Sequence, residues 1–247
     1  MELFYTSSEN IDLQAQRLVL DGDEFHHLVR VLRKKEGEHI IVTDGSGLCC
    51  EVSILDVGKT SLKGEILGHT SFESPKTGVT VALSLLKAPQ RFELFLEKAT
   101  ELGVSAIIPM MTSRTLAQVS GEKVQSKLNR WRTIVLSAAR QSKRYYLPQL
   151  CEPLSLRKVL ALPGYDLKLI PYEGSDVPPE AECCGKQSIF LIGGEGGFTA
   201  GEVQEARDAG FRAISLGRTI LRAETAGIFA VAYVRSQLLK EDCVEWF

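Results

Sequence analysis

Residues 188–232 read SIFLIGGEGGFTAGEVQEARDAGFRAISLGRTILRAETAGIFAVA, and this stretch decides the fold. A buried-strand pattern, Ser188–Ile192, ends in a glycine turn with one acid in it: Gly193, Gly194, Glu195, Gly196 and Gly197. Phe198 and Thr199 lead into an amphipathic helix, with Thr199 as N-cap and Glu202 completing a capping box. A second apolar strand, Ala213–Leu216, runs into Gly217 and a donor-rich loop, Arg218–Arg222. The last helix opens at Glu224 and Thr225. Two strand–loop–helix units in succession predict neighbouring parallel strands with both loops at one edge of the sheet. Ligands of open α/β sheets bind outside the carboxyl ends of the strands, so the chemistry belongs there.

The glycine loop is a backbone surface, because residues without side chains let a ligand approach bare N–H and C=O groups. No Gly-Lys-Ser/Thr follows it, which excludes a P-loop, and its spacing is not the G-x-G-x-x-G of a dinucleotide site. Glu195 would repel a pyrophosphate, so the expected ligand is not led by phosphate.

Upstream, the period is that of alternating strands and helices. VTVALSLL from Val79 reads as a fully buried strand, and Arg91–Leu102 as a helix buried through Phe92, Phe95, Leu96 and Ala99. Val104–Pro109 is the next strand, with Arg114 in the polar loop beyond it. Glu122–Gln141 is a long basic helix whose Trp131, Ile134, Val135 and Ala138 face a core. Ser155–Leu160 is a short helix, and Asp166–Pro171 a strand with Tyr172 and Glu173 at its tip. Residues 1–70 differ: short strands (Leu3–Tyr5, Arg17–Leu20, His39–Thr43, Cys49–Leu55, Ser61–Leu67) alternate with turns such as Asp44-Gly45-Ser46-Gly47. One helix, Glu24–Lys34, capped by Asp23, interrupts them. The reading is a β-rich domain, a linker near His69–Gly78, and an α/β domain with a mostly parallel sheet.

Composition excludes several classes. The chain has 247 residues, 44% hydrophobic and 24% charged, the profile of an ordinary soluble globular protein. No run approaches a membrane span and no basic-then-apolar leader opens the chain. The six cysteines form no C-x-x-C pair and the four histidines lack ligand spacing to them, so no metal is expected. Free thiols fit a cytoplasmic location. The net charge of −2 conceals a split: −6 over residues 1–75, +8 over 76–157 and −4 over 158–247. The middle block, with Arg140, Lys143, Arg144, Tyr145 and Tyr146 in one run, offers charge and stacking to a nucleic acid.

The strand ends thus bring Lys87, Arg114, Tyr172-Glu173, Gly193–Phe198 and Leu216–Arg222 to one rim. The rim has no His, no Cys and no Ser–His pairing, so neither a nucleophile nor a metal mechanism is equipped. Transfer of a group between two bound molecules needs mainly placement and charge stabilisation, which this rim supplies.

IGGEGGFTAGEV followed by LGRTILRAETA resembles the SPOUT class of knotted methyltransferases, and within it the RsmE family. HHLVRVLR with the downstream DGSG, RFELFLEKATELGVSAIIPMMTSRT and AARQSKRYYLP are similar to the same family in the same order. The resemblance implies a PUA-like RNA-binding β-barrel over residues 1–72 and a SPOUT domain with a C-terminal trefoil knot over 73–247. It implies a homodimer that uses S-adenosylmethionine to methylate N3 of a uridine in 16S ribosomal RNA of the small subunit. The cofactor would lie among Leu169, Pro171, Tyr172, Glu173, Ile192, Gly193, Gly194, Glu195, Gly196, Leu216, Gly217, Ile220, Leu221, Thr225 and Ala226. Arg222 would stabilise charge on the uracil oxygens, with Glu224 a base or an orienter of that arginine. Arg30, Arg33, Arg114, Arg140 and Arg144 would hold RNA. Small residues on the last helix (Ala223, Ala226, Gly227, Ala230) would permit close helix packing in a dimer. Two other readings stay open: a catalytically silent RNA-binding protein with this fold, and an adenosine-binding enzyme for a small metabolite.

Overall fold

A computed structural model describes residues 2–115, 122–179 and 182–239. They divide into two units: residues 2–74 with 139–147, and residues 75–138 with 148–239.

The first unit contains β1 (Leu3–Tyr5), β2 (Ile11–Asp12), β3 (Arg17–Asp21), α1 (Gly22–His26), β4 (His39–Thr43), β5 (Leu48–Val57) and β6 (Ser61–Ser71). These strands form one sheet in the order β1-β4-β5-β6-β3-β2, antiparallel except for β1 against β4. Alternation in the sequence is alternation in space: Leu18 and Leu20 of β3 are buried while Arg17 and Asp21 are exposed. With Phe4, Ile40, Val42, Val52 and Leu62 they make the core of this unit. The expected helix 24–34 is shorter and starts earlier. Asp21, not Asp23, stands at its N-cap, and from His27 to Val31 the chain widens into a π-turn in which Leu32 N–H donates to His27 O at 3.0 Å. Arg33, at φ +56°, ends it.

Residues 139–147 belong to this first unit although the sequence reading assigned them to the second domain. The reason is a specific set of bonds. Gly47 N–H donates to Tyr145 O at 3.0 Å and Leu147 N–H to Gly45 O at 2.9 Å, so the segment pairs with the DGSG turn. Tyr145 stacks flat on Phe72, 4.8 Å between ring centres. Arg140 reaches Glu24 at 3.1 Å, and Tyr5 Oη donates to the carbonyl of Arg144.

The second unit contains β7 (Gly78–Ser84), α2 (Pro89–Glu101), β8 (Ala106–Met111), α3 (Glu122–Gln141, its last turn in the first unit), β9 (Gln149–Leu150), β10 (Leu154–Ser155), α4 (Leu156–Leu160), β11 (Leu167–Pro171), β12 (Gln187–Ile192), α5 (Ala200–Asp208), β13 (Arg212–Ile214) and α6 (Ala223–Leu238). Every pairing in its sheet is parallel, in the order β10-β8-β7-β12-β11-β13, with β9 also beside β8. β7 is buried at every residue, as its unbroken apolar run requires of a strand covered on both faces. The two strands of the 188–232 stretch are not neighbours, contrary to expectation: β11 lies between β12 and β13. Because all three are parallel, their loops still emerge at one edge.

From β13 at the sheet edge the chain returns to the centre, where α6 packs on β7, β12 and α2. The connection between β11 and β12 lies across that return: Tyr233 Oη donates to Pro179 O, and Gln237 Oε1 accepts from Cys183 N–H at 2.8 Å. Of the small residues on α6, Gly227 is used within the chain. Gly227 lies so close to α2 that a Cβ there would stand 2.7 Å from the ring of the fully buried Phe95. Among the described residues no helix is long and apolar enough to cross a membrane.

Candidate functional site

Three loops meet beyond the carboxyl ends of β11, β12 and β13 and enclose a cavity of about 570 Å³. The loop after β11 supplies Pro171, Tyr172 and Glu173; that after β12 supplies Gly193–Phe198; that after β13 supplies Ser215–Arg222. Tyr172 N–H donates to Ile214 O at 3.0 Å and Ser215 N–H to Val177 O at 2.6 Å, which ties the first loop to the third.

The glycine loop is held from several sides. Gly197 N–H donates to Gly194 O at 3.0 Å, and Gly193 sits where a Cβ would stand 3.1 Å from the Gly197 backbone. A side chain at Gly193 would press on that backbone and force it to shift. Glu195 Oε1 accepts from Lys87 N–H at 3.1 Å, so this carboxylate orders the loop by anchoring it to the end of β7. Arg114 donates to the Gly196 carbonyl, and its stem covers the face where a Gly196 Cβ would project. Beyond the loop the predicted capping box is present: Thr199 Oγ1 accepts from Glu202 N–H at 3.2 Å, and Glu202 Oε2 accepts from Thr199 N–H at 2.8 Å. The other oxygen of Glu202 accepts from Ser113 N–H at 2.7 Å and binds the loop after β8 to α5.

Burial works against the charge on Glu202, but the N–H donors of Thr199 and Ser113 outweigh it and hold the carboxyl below its ordinary range. A depressed folded pKa contributes stability that is complete above the unfolded value and vanishes as pH falls through the folded one. The thermal midpoint is therefore expected to fall below about pH 4.3, the ordinary glutamate value, and to fall less steeply in Glu202→Gln. Parallel midpoint-against-pH curves for the two proteins would exclude this contribution.

Most of the residues expected to hold the cofactor line this cavity: Pro171, Tyr172, Glu173, Ile192, Gly193, Gly194, Glu195, Gly196, Leu216, Gly217, Ile220, Leu221 and Ala226. Two do not. Leu169 is 1% exposed inside β11, facing the core, because the cavity begins only past the strand end. Thr225 is exposed on α6 and turned away from the lining. Arg222 lines the cavity as the N-cap residue of α6, its carbonyl accepting from Ala226 N–H at 2.8 Å. Glu224, expected beside Arg222, is instead paired with Arg91 of α2: Oε1 lies 3.8 Å from the Arg91 Nε. Arg91 also lines the cavity and was absent from the sequence reading. The available signal was its place one turn into the helix that leaves the same rim as Lys87.

The five arginines expected on RNA fall into three groups. Arg30 and Arg33 are exposed on the surface of the first unit. Arg140 is committed to Glu24, a carboxyl raised by burial despite the arginine beside it, and Arg144 is 5% exposed. These two hold residues 139–147 to the first unit, so their side chains are not available as the sequence reading required. Arg114 is exposed but engaged with Gly196. Among the described residues no group of His, Cys, Asp or Glu could hold a metal ion.

An all-parallel sheet, a return of the chain from the edge strand to the centre of the sheet and a three-loop cavity with a bare glycine turn define a SPOUT-class methyltransferase domain, here joined to a PUA-like β unit. Comparison with known proteins agrees. Residues 73–235 match the RNA methyltransferase domain family and residues 20–67 the RNA methyltransferase PUA domain. The chain is 33% identical over 223 residues to ribosomal RNA small subunit methyltransferase E of Mycobacterium bovis, covering 87% of this chain and 85% of that one. It is 28% identical over 242 residues to the protein of that name from Bacillus subtilis, covering 93% and 94%. The structure of ribosomal RNA small subunit methyltransferase E from Neisseria gonorrhoeae bound to S-adenosyl methionine superposes with a TM-score of 0.85 at 30% identity, covering 96% and 97%. This chain belongs to the RNA methyltransferase family of ribosomal RNA small subunit methyltransferase E.

Proposed function

We propose that this protein transfers a methyl group from S-adenosylmethionine to N3 of a uridine in 16S ribosomal RNA of the small subunit. The observation that carries the reading is the cavity beyond the strand ends, where a bare glycine turn and Arg222 at the start of α6 line the same space. The residues fit the cofactor: Ile192, Leu216, Leu221 and Ala226 offer apolar walls for an adenosine, and the loop backbones offer hydrogen bonds in place of a phosphate site. When bound, the cofactor supplies an electrophilic methyl on a sulfonium, and its departure leaves a neutral thioether. The N3 proton of uracil passes to water, the electron pair it leaves forms the N–CH₃ bond, and negative charge builds on O2 and O4 until the transfer. Arg222 donates to those oxygens. The chain acts in the cytoplasm and as a homodimer, which sedimentation tests.

The N-terminal unit contributes RNA affinity through Arg30 and Arg33. Their joint replacement by alanine is expected to flatten the slope of log affinity against log salt by about 1.4, the effect of two phosphate contacts on single-stranded RNA. Titration of fluorescent RNA at several salt concentrations measures it, and an unchanged slope removes this face from the RNA interface.

The decisive experiment is transfer of labelled methyl from S-adenosylmethionine to small ribosomal subunits, with the product nucleoside identified by mass spectrometry. N3-methyluridine in 16S RNA is the expected product. Cofactor binding without transfer to subunits or RNA would sink the substrate and favour the silent RNA-binding reading; transfer to a small metabolite would favour the remaining one.

A further inference from the structure

Glu224 is a carboxylate with 7% of its side chain exposed, in the first turn of α6, two residues after Arg222. A buried charge is costly unless it is paired, and its removal from a partner is costlier than the pair itself is stabilising. Arg91 supplies the partner from a side chain that is 39% exposed and reaches the same cavity as Arg222. The meeting is not accidental to the packing. Helices α2 and α6 come together where Gly227 faces Phe95, too close for a Cβ at that position. One turn back on α6 from Gly227 is Glu224, and one turn back on α2 from Phe95 is Arg91, so the crossing that demands a glycine also sets this register.

We infer that Arg91 is a positioning residue of the methyl-transfer site: through Glu224 it fixes the first turn of α6 and thereby the aim of Arg222. Glu224 is then a fixed anion and not the proton acceptor. The inference rests on the proposed methyl transfer for its kinetic readout and deepens it. The anchors of the glycine loop are Glu195 and Arg114, and the pair of Arg91 with Glu224 lies at the start of α6 instead. Loss of the pair is therefore expected to act on kcat more than on cofactor affinity.

The test is a double-mutant cycle with Arg91→Gln, Glu224→Gln and the combined variant, with Arg91→Lys as the conservative replacement. Each single Gln variant is expected to lower kcat about tenfold, with the Kd for S-adenosylmethionine by calorimetry changed less than about threefold. The combined variant is expected to be no slower than either single one, because it leaves no unpaired buried charge. Arg91→Lys should restore most of the rate, since an ammonium still pairs with Glu224. Thermal midpoints of all four confirm that folded protein is compared. Multiplying losses in the combined variant, or a Glu224→Gln defect with Arg91→Gln at wild-type rate, would overturn the inference, the latter by returning Glu224 to the role of base. Failure of the function reading looks different: wild-type protein would then bind cofactor and transfer no methyl to any RNA. The pair would in that case be judged from the cycle in thermal midpoints, and additive shifts there would overturn it.

Discussion

Replacement of Arg222 by alanine is expected to lower kcat for methyl transfer about 100- to 1,000-fold, the usual effect of removing one preorganised donor from a developing oxyanion. The side chain stands at the N-cap of α6, exposed toward the cavity, and makes no cap hydrogen bond of its own. Its loss therefore leaves the helix start intact, and the Kd for S-adenosylmethionine is expected to stay within about threefold of wild type. Rapid-quench measurement of a single turnover on small subunits separates chemistry from product release. A kcat within tenfold of wild type would remove Arg222 from the reacting centre. Arg222→Lys is expected to recover only part of the loss, because a single ammonium cannot present two parallel N–H groups to neighbouring oxygens.

The second large effect is on binding. Gly193→Val is expected to weaken S-adenosylmethionine at least about 100-fold, beyond ready detection by calorimetry. A Cβ at this position would lie 3.1 Å from the Cα and carbonyl carbon of Gly197, and both are backbone atoms of the same tight turn. Relief requires the Gly197 backbone to shift, which strains the Gly197-to-Gly194 hydrogen bond and displaces the backbone that the adenosine would contact. A β-branched side chain adds two further heavy atoms to that conflict. Gly201→Ala serves as the control. It lies in the first turn of α5, on the exposed side, with nothing nearer to its Cβ position than Thr199 Oγ1 at 4.0 Å, and alanine is the better helix former. That variant is expected to bind the cofactor as wild type does. Undiminished binding by Gly193→Val would mean that the ligand does not use this turn.

Much of the molecule was legible before any coordinates. Local rules were the reliable part. The Thr199–Glu202 capping box is present because both partners lie within one turn and need nothing from the rest of the fold. β7 was readable because a strand covered on both faces has no polar side to keep. Arg222, the glycine turn and Leu216–Leu221 fell into place because each lies directly at the end of a strand, and parallel strands deliver such loops to one edge. Where the reading failed, a distant partner decided. The order β12-β11-β13 depends on which strand inserts between two others, and periodicity carries no information on that choice.

Arg140 and Arg144 show the same limit. In the sequence they form a basic run beside tyrosines, and charge density alone points to nucleic acid. In the fold Arg140 meets Glu24, and the Arg144 carbonyl meets Tyr5, residues far off in the chain. The two arginines of the run are thereby turned into structure, Arg140 in an ion pair and Arg144 by burial, while Arg30 and Arg33, less conspicuous in sequence, remain exposed. Arg91 is the converse case. Its place at the start of the helix that leaves the Lys87 rim marks it only weakly, and the contact of α2 and α6 at Gly227 sets it against Glu224.

By itself, then, the sequence determined the two-part organisation, the parallel sheet and the loops that form the cavity, because each follows from side-chain period and turn chemistry acting over a few residues. Tertiary structure decided the partner of Glu224, the attachment of residues 139–147 to the N-terminal unit and the contact of Gly227 with Phe95. Those outcomes are set by which surfaces exclude water together and which charges are buried together, and both are properties of the packed chain.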